Sequence, residues 1–252
     1  MSSDQESIIL RHYEELAQVF PGLLLCQDYP GRWVIRGTLS FSARYQDITI
    51  DDVFSILLSL PSDYPNSPPT VQETGGRIPA TFHQFNDRTF CLGAPVEVKS
   101  RFKKDQRLLN FVQTLVVEYL YNYVHYEKHG TLPFGELAHG CKGIREYYQK
   151  LFATDDVNTI LALLKVLYEK KYRGHYQCPC GSGNILRKCH GPVLLMLLDC
   201  QSSKLFLNDI RNVLYSIEQE EIQRLNWNLV PEILRLEIND MARDRAKQEK
   251  CV

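Results

Sequence analysis

Three cysteines and one histidine lie within the segment CPCGSGNILRKCHG at residues 178–191. Thiolate sulfur and imidazole nitrogen are ligands that zinc prefers, and four such ligands with no open position typify a closed tetrahedral structural site. Two glycines between the cysteines suit a backbone that curls around an ion, because glycine tolerates positive φ. The pattern therefore predicts a structural zinc site with the ligands Cys178, Cys180, Cys189 and His190.

A second possibility for chemistry lies at Cys91, which follows a proline-rich loop rather than an apolar periodic element. An accessible cysteine can react as its thiolate. His83 and Asn86 precede it closely, and such groups can activate a nucleophile or donate to a developing oxyanion. Cysteine is also often a small buried hydrophobe. The residues alone leave nucleophile and core filler both open.

The first half of the chain combines helix and strand patterns. Apolar residues at helical spacing predict an amphipathic helix over 6–19, and period-2 patterns predict strands around 33–41 and 54–60. Four prolines in PSDYPNSPPT, at 61–70, predict a rigid extended loop, because proline fits neither helix interiors nor ladders. These elements predict an α+β domain with an antiparallel sheet flanked by helices.

From residue 75 to 104 glycines and prolines predict an irregular segment, and a long helix is predicted over 106–125. A short helix is expected at 144–152, and the Thr-Asp-Asp sequence at 154–156 is a good helix start. Further helical patterns cover 193–200, 203–217, 219–228 and the residues after Pro231. We therefore predict an α+β domain at 1–153 and a helical accessory domain, interrupted by the knuckle, at 154–252.

The composition is that of an ordinary globular protein. The 252 residues are 44% hydrophobic and 23% charged with a net charge of −1, which gives no reason to expect nucleic acid or an anionic membrane as a partner. The N-terminus does not resemble a signal peptide, and no apolar run is long enough to span a membrane. We expect a cytoplasmic protein whose eight cysteines serve metal or thiol chemistry rather than disulfides.

Residues 178–191 resemble the SEC-C motif, and they match its pattern C-P-C-G-S-G…K-C-H-G almost completely. The resemblance implies a bound zinc ion and a bacterial source. It implies little about activity, because the module is a small docking element attached to proteins of many functions.

The order of motifs in the first half resembles the ubiquitin-conjugating (UBC) fold over roughly residues 5–125. W-x-I-x-G occurs at 33–37, Y-P-x-x-P-P occurs at 64–69, and a histidine then leads to Cys91-Leu92 before a helix. The resemblance implies that Cys91 carries ubiquitin or a ubiquitin-like protein as a thioester and passes it to an amine, usually of a lysine.

The chain departs from the family pattern beside the cysteine. The family's H-P-N reads His83-Gln84-Phe85 here, and the tryptophan usual beyond the cysteine is missing. Asn86 either takes over as the oxyanion donor or caps its loop. These departures, together with the SEC-C motif, resemble bacterial UBC members from conjugation and anti-phage defence operons. The expected partners are a ubiquitin-like or other protein modifier, a separate activating enzyme and a target amine.

Two other functions fit the same residues. A non-catalytic adaptor would bind one protein through the UBC-like domain and dock a second through the helical domain. A cysteine hydrolase would combine Cys91 with His83 or His139, although His139 is more simply read as a polar loop residue.

Overall fold

The computed structural model describes residues 3–133 and 140–249. The chain divides into two compact units, Met1–Leu137 and Ala138–Val252. The elements of the first unit are α1 (Ser3–Val19), β1 (Leu23–Tyr29), β2 (Arg32–Tyr45), β3 (Ile48–Ser59), β4 (Thr70–Glu73), α2 (Pro95–Lys104), α3 (Leu108–Phe111), a π-helical turn (Val112–Val116) and α4 (Val117–His129).

The elements of the second unit are all helical. They are α5 (Gly140–Phe152), α6 (Val157–Tyr168), a 3₁₀ turn (Leu186–Lys188), α7 (Gly191–Cys200), α8 (Ser203–Ser216), α9 (Gln219–Gln223), a 3₁₀ turn (Trp227–Leu229) and α10 (Glu232–Glu249). The predicted α+β class with an antiparallel sheet is confirmed. No helix in the described part of the chain is long and apolar enough to cross a membrane.

The four strands form an antiparallel meander in the order β1-β2-β3-β4. The pairing of β1 with β2 depends on Gly37, which opposes Leu23. Gly37 has φ +140°, and a Cβ there would lie 2.1 Å from the Gly22 carbonyl oxygen. The neighbouring Thr38 N–H donates to that same oxygen at 3.0 Å. Glycine is required here because the two backbones approach too closely for any side chain.

Helices α1, α3 and α4 pack with the sheet around one hydrophobic core. The apolar positions predicted for the first helix and the strands are buried, as the exposures of Leu16, Leu39 and Phe54 show (0%, 0% and 2%). The predicted helix over 106–125 is helical from 108 to 129, and Gly130 ends it in a left-handed conformation. The loops that follow β3 and β4 pack against this core.

The proline-rich loop is anchored through Tyr64, whose ring is fully buried. Its hydroxyl lies 2.7 Å from His12 Nδ1 and donates to the Gln106 carbonyl oxygen at 3.2 Å. Gln106 in turn donates through Nε2 to the Pro65 carbonyl oxygen at 3.0 Å. The loop is therefore tied to both α1 and the segment before α3.

The prediction of an irregular segment over 75–104 is wrong for its last ten residues, which form α2. Pro95 occupies the first turn of this helix, where its missing N–H has no intrahelical partner to lose. Val96 and Phe102 are buried on its inner face. The proline that suggested a break is a helix-start residue.

The second unit begins before residue 153, because α5 packs against α8 within it. Tyr148 of α5 donates its buried hydroxyl to Asp209 of α8 at 2.7 Å. The sequence boundary near 153 therefore differs from the division of the structure. Within the predicted 154–156 start, the N-cap is Asp156, whose carboxylate accepts from the N–H groups of Asn158 and Thr159.

Candidate metal centre and candidate active site

The backbone of the knuckle forms a short closed loop. Cys178 N–H donates to the Asn184 carbonyl oxygen at 2.8 Å, and Leu186 N–H donates to the Tyr176 carbonyl oxygen at 2.8 Å. Gly181 and Gly183 have φ of +74° and +76°, the left-handed values that the sequence pattern requires. The loop therefore brings the second pair of candidate ligands back to the first pair.

The four predicted ligands converge. Their ligand atoms all lie within 4.8 Å of one another. His190 Nδ1 is 3.1 Å from Cys178 Sγ and 3.3 Å from Cys189 Sγ, and the sulfurs of Cys180 and Cys189 are 3.5 Å apart. Ligand atoms on a tetrahedral zinc ion lie about 3.6–3.8 Å apart, given its usual bond lengths. This donor set could hold a metal ion.

His190 is oriented by a contact behind the site. Its Nε2 lies 2.9 Å from the carbonyl oxygen of Phe152, which accepts only. In a neutral imidazole the proton then sits on Nε2, so the lone pair of Nδ1 faces the sulfurs of Cys178 and Cys189. A backbone carbonyl that fixes the tautomer of a ligand histidine is a common feature of metal sites.

The thiols of the knuckle differ in their pKa values. Burial opposes ionisation of the Cys180 thiol, but hydrogen bonds from Ser182 and the neighbouring cysteines outweigh it and lower the pKa to about 6. Burial raises the pKa of Cys178 to about 11. Cys189 and His190 lie at the N-terminus of α7, where the helix dipole favours negative charge. Metal binding would therefore displace protons from thiols that remain protonated.

Cys91 ends a tight hairpin whose tip is the turn 85–89. Gln84 and Phe90 form the bridge pair of this hairpin, and Phe85 N–H donates to the Thr89 carbonyl oxygen at 2.9 Å. Phe90 N–H donates to the Val71 carbonyl oxygen at 2.7 Å, which ties the hairpin to β4. The cysteine is thus held at the base of the hairpin by strand-like pairing.

The Cys91 thiol is half-buried. Its Sγ lies 4.0 Å from the Gly93 carbonyl oxygen. Burial raises the pKa of the thiol above its ordinary value, since a thiolate loses hydration there. The site positions a thiol without stabilising the thiolate strongly.

An apolar groove of about 260 Å³ is lined by Phe90 and Leu92, the residues before and after Cys91, and not by Cys91 itself. Its walls come from the proline loop, the hairpin and α2, and include Pro68, Pro69, Phe85, Leu92, Pro95 and Val98. Leu92 directly follows the cysteine, and Phe85 is half-exposed at the tip of the hairpin. The groove therefore offers apolar contacts close to the Cys91 segment.

The two predicted assistants of Cys91 lie at different places in the hairpin. The Cys91 N–H donates to the His83 carbonyl oxygen at 2.8 Å, so these residues are side by side. Asn86 is exposed on the turn, and among the described residues no hydrogen bond joins its side chain to Cys91. The roles of both in catalysis stay predictions. His139 lies outside the described residues.

Polar residues of α2 and α4 that the sequence pattern does not single out line a pocket together with Leu92, the residue after Cys91. Tyr119 of α4 stacks on Phe90 with ring centroids 4.2 Å apart and interacts electrostatically with the Cys91 thiol. One turn further along, Asn122 is 4% exposed. The sequence signal for Asn122 was a polar side chain among the inward-facing positions of an apolar helix, because a buried amide normally makes a hydrogen bond.

Comparison with known proteins found no family model that matches the chain, and no curated protein or solved structure that is similar to it.

Proposed function

We propose that the chain is a ubiquitin-conjugating-like transferase that carries a protein modifier as a thioester on Cys91. The modifier is a ubiquitin-like protein or another protein with a reactive C-terminus, and it is passed to an amine in a bacterial conjugation or anti-phage pathway. One observation carries the proposal: a half-buried cysteine lies at the base of a pinned hairpin, and its neighbours Phe90 and Leu92 line an apolar groove of a size suited to an extended chain.

The chemistry needs two acyl transfers. In the first, the Cys91 thiolate attacks the acyl carbon of a thioester on a separate activating enzyme, whose own thiolate leaves. In the second, a neutral amine attacks the Cys91 thioester, the C–N bond forms, the C–S bond breaks, and Cys91 leaves as the thiolate while the amine loses a proton. Positioning supplies most of the acceleration in such reactions.

His83 is the better placed of the two predicted assistants, because its backbone is hydrogen-bonded to Cys91 itself. A donor beside the cysteine could stabilise the oxyanion of the tetrahedral intermediate. The proline loop and α2 would hold the modifier's C-terminal segment in the groove between them.

For the second unit we propose that the Cys/His site binds one structural zinc ion. Three sulfurs and one nitrogen satisfy the coordination of zinc and leave no position for a substrate. The ion would supply folding free energy and no chemistry. The unit would then serve as a docking module for a partner of the transferase.

The test is adduct formation at Cys91. The full chain is incubated with candidate activating enzyme, modifier and ATP, and Cys91 is examined by intact-mass and peptide mass spectrometry. We expect an adduct that thiols reduce, no adduct for Cys91→Ala, and a thiol-resistant ester for Cys91→Ser. Cys26→Ser is the matched control, since Cys26 is a half-buried cysteine on β1.

An adduct at another cysteine, or turnover of a simple thioester with no activating partner, would contradict the transferase proposal. The second outcome would instead support a cysteine hydrolase.

The raised pKa of Cys91 favours one alternative, a non-catalytic adaptor, because a buried thiol is a weak nucleophile. The adaptor predicts that Cys91→Ala keeps full activity in a cellular assay of the pathway, whereas Cys178→Ser or Cys189→Ser abolishes it. The transferase predicts that Cys91→Ala abolishes activity.

A further inference from the structure

Positive charge is concentrated in the segment that carries the candidate metal ligands. The whole chain has a net charge of −1, yet residues 170–198 contain five lysines and arginines and no aspartate or glutamate. This is the longest stretch of the chain without an acidic residue. The near-neutral total therefore conceals a local basic segment, which is the electrostatic footprint of a site for anions.

The side chains of these five cations are all exposed, and we call them the basic surface: Lys170, Lys171, Arg173, Arg187 and Lys188. Lys171 Nζ pairs with Glu169 at 3.1 Å. The other four form no ion pair with a carboxylate in the part of the chain that the structure describes. Their positive field is therefore available to an anionic ligand.

Backbone pairing brings the two ends of the basic surface together. The Arg187 N–H donates to the Gly174 carbonyl oxygen at 2.9 Å, and a Cβ on Gly174 would lie 3.1 Å from Arg187 Cβ. Arg187 is thus held beside Arg173, the residue before Gly174. Two guanidinium groups that lie far apart in the loop sequence extend from neighbouring positions.

An aromatic ring is exposed next to these charges. Tyr176 is 60% exposed, and its N–H donates to the Arg173 carbonyl oxygen at 3.0 Å, so a tight turn places it near Arg173. The His175 ring lies edge-on to it, with ring centroids 4.8 Å apart. Cations that contact phosphates and an exposed ring that stacks on a base are the combination that binds single-stranded nucleic acids.

We propose that the basic surface and Tyr176 bind single-stranded nucleic acid. Arg173 and Arg187 contact phosphates, and the Tyr176 ring stacks on an unpaired base. A duplex fits less well, because its bases are already stacked and the pairing of this loop, a single bridge between Gln177 and Ile185, is too short to form a ribbon in the major groove. The inference does not depend on the proposed transferase function, because it uses no residue of the first unit.

The test is fluorescence anisotropy with the full chain and labelled oligouridine of about 12 nucleotides. Oligodeoxythymidine of the same length shows whether RNA or DNA binds more tightly, and a duplex of that length is the third probe. We expect either single strand to bind about tenfold more tightly than the duplex or better. The logarithm of the affinity should fall with the logarithm of salt concentration with a slope of about −3, which corresponds to four phosphate contacts.

Tyr176→Ala should weaken binding about fivefold or more and leave the salt slope unchanged, because it removes stacking and no charge. Tyr176→Phe keeps the stacking ring and should bind like the unchanged chain. Tyr29→Ala is the matched control, since Tyr29 is 68% exposed on β1. Equal losses for Tyr176→Phe and Tyr176→Ala, or no loss for either, would overturn the proposal.

The double variant Arg173→Gln with Arg187→Gln should weaken binding and make the salt slope shallower by about 1.4, because two phosphate contacts are lost. Lys103→Gln with Lys104→Gln removes the same charge from exposed positions of α2 and should leave both unchanged. An equal effect of the two double variants would show attraction to net charge alone and would overturn the site.

Two other anionic partners are separated by the same assay. The probes are a labelled peptide of alternating aspartate and glutamate of the oligonucleotide's length, and vesicles of phosphatidylcholine and phosphatidylserine in equal amounts. We expect both to bind more weakly than oligouridine and to be insensitive to Tyr176→Ala. Tighter binding of the acidic peptide would identify a protein partner, tighter binding of the vesicles would identify a membrane surface, and either result would overturn the proposal.

Discussion

At the scale of single residues, Cys91 and Cys180 show how local surroundings set thiol chemistry. Cys91 is half-buried beside apolar walls, and burial raises its pKa. At Cys180 burial acts in the same direction, but Ser182 and the neighbouring cysteines outweigh it and lower the pKa to about 6. Burial therefore moves ionisation of the Cys91 thiol to higher pH, whereas the hydrogen bonds around Cys180 move its ionisation to lower pH.

We expect the alkylation rate of Cys91 by iodoacetamide to keep rising above pH of about 8.5, the ordinary thiol value. Below its pKa the thiolate fraction rises tenfold per pH unit, so a raised pKa moves the plateau to higher pH. Peptide mass spectrometry can follow Cys91 alone. The same cysteine in the urea-unfolded chain is the control and should reach its plateau earlier. A plateau near pH 7 in the folded protein would contradict the prediction.

At the scale of elements, short contacts between backbones decide how the site is supported. Gly37 lets β2 pass against the segment before β1, and the hairpin below Cys91 pairs with β4. Neither contact can be read from the apolar periodicity of the sequence. The pairing of β1 with β2 therefore depends on Gly37, a position where no side chain fits.

Gly37→Ala should destabilise the first unit by more than about 2 kcal/mol, because its Cβ would overlap a carbonyl oxygen. Gly31→Ala is the matched control, since Gly31 also has positive φ (+79°) but nothing lies within 4 Å of its Cβ position. The control should cost only the backbone strain, about 1 kcal/mol. Urea denaturation of both variants measures the difference, and equal losses would refute the close-approach explanation.

At the scale of the whole molecule, the chain consists of two units that bury separate cores. The first has a sheet of four strands and a long helix. The second has helices and a knuckle whose loop is short of apolar contacts, because most of residues 173–184 are exposed. A metal ion would supply the free energy that this loop does not obtain from burial.

Chelation should therefore increase amide hydrogen exchange mainly in the second unit, around the knuckle and α7. Metal content and hydrogen exchange, measured on the full chain before and after chelation, check this expectation. Cys189→Ser should reproduce the effect, whereas Cys200→Ser should not, since Cys200 lies at the end of α7 outside the ligand group. A protein that is metal-free and keeps full protection at the knuckle would rule out a structural ion.

Much of the fold was predictable because its signals are local. The apolar spacing of α1, β2, β3 and α4 reflects which face each element buries, and each element needs only its own residues to show it. The helix α2 was missed because Pro95 can begin a helix or break one. The predicted boundary at 153 differs from the division of the structure because α5 packs against α8, a contact between segments far apart in the sequence.

The sequence by itself determined the ligand group of the candidate metal site, since its four members lie within one short loop and chain geometry alone brings them together. It also singled out Cys91 as a candidate nucleophile. Only the tertiary structure placed His83 beside Cys91 and Asn86 on an exposed turn. Only the tertiary structure brought α2 and α4 together around a pocket lined by Asn122. No local pattern in the sequence indicates that these two helices meet.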